Sequence, residues 1–119
     1  MATKKNAGSK INLDFVLRNL EGEEMLVPDS SGKPTKTPMA ARHAIRTALV
    51  HDDPKNQSNG EEKLKRFELA IHKLNATDPD FTPEERVTMK KACDFYWSIL
   101  AYGQLAKIID GKTDPFTND

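Results

Sequence analysis

Residues 82–111, TPEERVTMKKACDFYWSILAYGQLAKIIDG, decide the fold reading, because their two ends carry helix punctuation and their middle is apolar. Thr82 is placed as an N-cap and Pro83 suits the first helical position, where no N–H need be satisfied. Glu85 stands where a capping-box carboxylate reaches back. Glu84 and Glu85 set negative charge in the positive first turn, and Gly111 is a natural left-handed stop after Asp110. The spacing predicts one long helix and makes it the element that the rest of the chain packs around. Its polar stripe shifts midway: at roughly 100° per residue, Lys91, Asp94 and Ser98 share a face that continues into apolar Ala101 and Leu105. Either the helix bends near Gly103, or its second half is enclosed where the first half meets water. The enclosing partner is another part of this chain or a second protein. In the latter case Tyr96, Trp97, Ala101, Tyr102 and Leu105 form a candidate protein interface.

The chain of 119 residues is one domain's worth, long enough for a modest core without metal or disulfide staples. Its 18 basic and 18 acidic residues balance, so net charge announces neither nucleic-acid attraction nor mimicry. Cys93, the single cysteine, excludes an intrachain disulfide and a cysteine-rich metal site, and in its aromatic setting it reads as an apolar filler. No signal core follows Met1 and no apolar run is long enough to span a bilayer, which points to a cytoplasmic protein.

Residues 1–10 contain little apolar matter and read as a flexible tail. Residues 11–111 form one α+β unit, and residues 112–119 form a second tail, whose Phe116 can dock back on that unit. Ile11, Leu13, Phe15 and Leu17 recur with period two, the mark of a strand packed on one face. Gly22 allows a turn, and Glu24 to Val27 return as a second short strand. Such a ribbon must rest on helices or on another chain's sheet. Pro28 to Pro38 reads as a polar loop. Its Gly32 and Lys33 lack the glycine-rich approach and the following Ser or Thr of a phosphate loop.

A first helix follows Pro38, with Ala41, Ala44, Ile45, Ala48 and Leu49 on one face and Arg42, Arg46 and His51 elsewhere. A second begins near Asn59, in either the Ser58–Glu61 or the Asn59–Glu62 capping register. Leu64, Phe67, Ala70, Ile71 and Leu74 are expected as its packed face. Asp78 and Asp80 precede the third helix without the remaining ligands of a calcium loop. His43, His51, His72 and Cys93 have no metal-site spacing, and no hydrolase or phosphate-binding motif is present, so neither a catalytic residue, a metal nor a cofactor is assigned. An alternative function uses Arg42, Arg46, Lys63 and Arg66 as a basic helical surface for nucleic acid. The long acidic connection between the first two helices does not suit a helix-turn-helix joint.

The phrases KINLDFVLRNLEGEEM, MAARHAIRTALV, GEEKLKRFELAIHKL and the long C-terminal stretch, in that order, resemble small proteins encoded by tailed phages and prophages. The resemblance implies protein recognition, as in tail-assembly chaperones, modulators of host factors and inhibitors of host defence, in the cytoplasm of the infected cell. It carries no functional residues onto this chain. The resulting expectation is an α+β, mostly helical, non-enzymatic binding protein. An N-terminal β-hairpin packs on about three helices, and the partner is another protein or a second copy.

Overall fold

The computed structural model describes residues 10–55, 57–77 and 79–117. The chain runs through β1 (Leu26–Pro28), β2 (Pro34–Pro38), α1 (Ala41–Leu49), α2 (Gly60–Ile71), a 3-10 turn at Lys73–Asn75, α3 (Pro83–Tyr96) and α4 (Ile99–Ile109). This is the expected α+β, mostly helical architecture. The expected tail at residues 1–9 lies outside the described residues, while Lys10 pairs with Asp80 at 3.0 Å.

The hub is α1 rather than the C-terminal stretch, since α2, α3 and α4 all pack against it. Ala41, Ala44, Ile45, Ala48 and Leu49 are all buried, and three alanines let neighbouring helices approach closely. No side chain caps its N-terminus. Instead the N-terminal segment supplies backbone acceptors: Ala41 N donates to Phe15 O at 2.7 Å and Arg42 N to Leu13 O at 3.0 Å. Those carbonyls satisfy N–H groups that the first helical turn would leave orphaned.

That service explains why residues 11–17 do not form the expected first strand. They bury Ile11, Leu13 and Leu17 against the helices, as the period-two pattern anticipates. Their pairing is limited to the isolated bridge Val16↔Ala40, with a second, Arg18↔Glu24, just beyond them. The hairpin lies one segment later: antiparallel β1 ends at Pro28 and all of β2 falls inside the Pro28–Pro38 stretch expected as a loop, which corrects that expectation. Its turn is set by Gly32 at φ +88° and by Asp29, whose Oδ1 accepts from Ser31 N, Ser31 Oγ and Lys33 N at 2.9, 2.7 and 3.0 Å. The Ser31 hydroxyl and these backbone donors hold the Asp29 carboxyl below its ordinary range.

The start of α3 matches the sequence pattern. Thr82 Oγ1 accepts from Glu85 N at 3.1 Å, and Glu85 Oε1 accepts from Thr82 N at 2.8 Å. Lys73 Nζ reaches the same carboxylate at 2.8 Å. Burial alone would raise the Glu85 pKa, but the Lys73 and Thr82 donors outweigh it and leave the group lowered.

The C-terminal stretch is two helices, which corrects the single-helix expectation; of the two explanations for the shifted stripe, enclosure of the second half by this chain holds and a bend at Gly103 does not. Trp97 is extended (φ −100°, ψ 159°), and Ser98 caps a new helix by accepting from Ala101 N at 3.4 Å. Serine competes for its backbone neighbours and therefore favours such a start over a helix interior. The Trp97 indole N–H donates to Ala44 O at 3.0 Å, pinning the corner to α1. The break re-aims the polar stripe: Ala101 and Leu105 turn into the core, while Gly103 sits inside an unbroken α4. Gln104 is also buried, accepting from Arg18 N at 2.8 Å and donating to Arg18 O at 2.9 Å. It thereby serves the peptide groups of an N-terminal segment that lacks a continuous strand neighbour.

At the end of α4, Gly111 N bonds Ile108 O and Lys112 N bonds Lys107 O, each at 3.0 Å, with Gly111 at φ +104°. This is the left-handed stop expected there, in its two-bond form. The chain then folds back, burying Pro115 and bringing the Phe116 ring 6.5 Å from that of Phe15.

Candidate functional site

The five residues expected as an interface on the C-terminal stretch do not form one surface. Ala101 is 1% exposed and Leu105 0%, so both belong to the core of this chain, the consequence of the break at Trp97. Trp97 and Tyr102 are half-buried against the same core. Tyr96 stays outside, edge-on to Trp97 at 4.9 Å and against His51 at 4.7 Å between ring centroids.

The four residues considered for nucleic acid divide as well. Arg42 donates to the carbonyls of Leu74 and Ala76, closing the 3-10 turn after α2. Arg66 donates through Nε to Leu49 O at 2.9 Å and through Nη2 to Ala48 O at 3.2 Å and His51 O at 2.5 Å. Its guanidinium caps the C-terminus of α1, where carbonyls lack helical partners and the dipole favours a cation. Both arginines are therefore committed to holding elements together. Arg46 lies in the last turn of α1, and Lys63 is exposed on α2.

The surface that sequence reasoning missed is the outer face of α2. Leu64, Phe67 and Ile71 are 60%, 50% and 39% exposed, whereas Leu69, Ala70 and Leu74 are buried. The apolar group expected to pack together is thus split, with its three larger α2 members facing water. Asn59 caps the helix by accepting from Glu62 N at 2.8 Å, which fixes the later of the two capping registers. Val50, also exposed, joins Phe67 and Lys63 around a groove of about 350 Å³ beside the end of α1. A signal was present in the sequence: α2 has apolar residues on two sides, and only one side can face α1.

The remaining groups are dispersed. Burial, and then neighbouring Arg46, lower the His43 pKa by disfavouring the charged ring. His51 Nδ1 contacts Thr47 O at 2.7 Å, and His72 Nδ1 contacts Glu68 Oε1 at 2.6 Å, each partner one helical turn away. Burial pushes the Cys93 thiol up to about 12, which suppresses its thiolate. A second groove, about 510 Å³, runs between α2 and α3 and mixes Asp53, Glu62 and Asp94 with Arg66 and Lys91. Among the described residues no group of three His, Cys, Asp or Glu side chains is arranged to hold a metal ion. Among them, too, no helix is long and apolar enough to cross a membrane. Compared with protein-family models, with curated proteins and with solved structures, the chain has no significant match.

Proposed function

We propose that the chain is a non-enzymatic protein-recognition module that docks through the outer face of α2. One observation carries this reading: Leu64, Phe67 and Ile71 form an exposed apolar stripe on a regular helix whose opposite side is anchored to α1. Because each is about half exposed, contact with a partner recovers on the order of half the roughly 1.5–3 kcal/mol that full burial of such a side chain is worth. In the setting implied by the phage resemblance, a tail-assembly chaperone and a modulator of host factors both act in this way. The nucleic-acid reading is weakened because Arg42 and Arg66 are occupied by backbone carbonyls.

A photoreactive phenylalanine analogue placed at Leu64 tests the reading in the producing cell, with the same analogue at exposed Val87 of α3 as control. The expected result is discrete adducts from position 64 and none from position 87. Absence of adducts at 64, or an identical smear from both sites, would overturn it.

A further inference from the structure

We infer that the occupant of the α2 face is a second copy of the same chain, docked with its α2 parallel to the first about a two-fold axis. This rests on the docking reading above and adds the partner and its orientation.

Spacing and charge carry the inference. Leu64 and Ile71 are seven residues apart with Phe67 three after the first, the pattern of a helix–helix seam. The flanking residues are Lys63 on one side and Glu68 on the other, both exposed. In a parallel pair, the residue before the first seam position lies across from the residue five further along on the partner. Lys63 therefore meets Glu68 of the second copy, and the two-fold repeats the pair with roles exchanged. An antiparallel pair centred on Phe67 instead brings the two Glu68 carboxylates toward each other, a like-charge approach that opposes it. Within the monomer Glu68 already contacts His72 through Oε1. Its second oxygen remains an acceptor for Lys63 of the other copy.

Sedimentation or light scattering over a concentration series supplies the test, using the full chain and its charge variants. The expected wild-type result is a monomer–dimer equilibrium. Lys63→Glu or Glu68→Lys alone turns two attractive contacts repulsive and raises the dimer dissociation constant about tenfold, while K63E/E68K restores it to within about twofold. Both positions lie on the surface, and circular dichroism verifies that the variants are folded. Equal dissociation constants for all four proteins would overturn the parallel register. A mass fixed at 13.3 kDa up to the highest soluble concentration would overturn self-docking. If that monomer nevertheless gives adducts from position 64 with another polypeptide, the docking reading survives and only the self-partner fails. If it gives none, both fail.

Discussion

Helices α1 and α2 carry apolar residues at similar helical spacing, yet α1 buries its whole stripe and α2 turns three large residues outward. Periodicity identifies the residues that share a face, but not the direction in which that face points. In α1, small alanines make the apolar side the closest surface available to three neighbours. In α2 a polar requirement competes. Arg66, two residues after Leu64 and so on the far side at roughly 100° per residue, is the cation that reaches the C-terminal carbonyls of α1. Aiming Arg66 at α1 turns Leu64, Phe67 and Ile71 toward solvent.

The largest expected effect comes from the α1 side of this contrast. Ile45 is fully buried at the helix contacted by all the others. Ile45→Ala should cost about 3 kcal/mol through lost transfer energy and the cavity left behind. Urea unfolding would register it as a lower midpoint with an unchanged slope. A loss under about 1 kcal/mol would mean that α1 is not the hub.

Arg66→Met probes the link between the two helices. It keeps much of the aliphatic stem but removes the donors to Ala48, Leu49 and His51. About 2 kcal/mol of stability should be lost, the scale for charge-assisted bonds to a helix end. Amide exchange separates this change from a general loosening: α2 amides should lose protection while α3 keeps most of its own. Uniform loss across both helices would show that Arg66 is not what seats α2.

Much of this organisation is legible in the chain itself. The Thr82–Glu85 capping box, the Gly111 stop and the stripe of α1 depend on local residues and appear where the patterns place them, and the α+β class holds although its strands lie later in the chain than expected. Two of the failures originate in long-range hydrogen bonds. Residues 11–17 alternate like a strand, but the carbonyls of Leu13 and Phe15 are taken by α1. The stretch 82–111 is apolar enough for one helix, but Trp97 reaches Ala44 and Ser98 offers a cap, so it folds as two. The interface placed around Ala101 and Leu105 followed from the single-helix assumption. Once the axis turns at Trp97, those residues fall inside and the candidate site moves to α2.

Phe67→Ser carries the smallest expected effect and bears most directly on the contrast. With half of its surface already in water, Phe67 should contribute little to the fold of the isolated chain, so its replacement should change the unfolding free energy by no more than about 0.5 kcal/mol. The measurement belongs at low protein concentration, because a dimer joined through α2 adds binding energy to the apparent stability as concentration rises. In dilute solution, a loss approaching that of Ile45→Ala would place Phe67 in the core and abolish the difference between the two helices. A neutral result in dilute solution, with a penalty that grows with concentration, would assign the apolar stripe of α2 to association rather than folding.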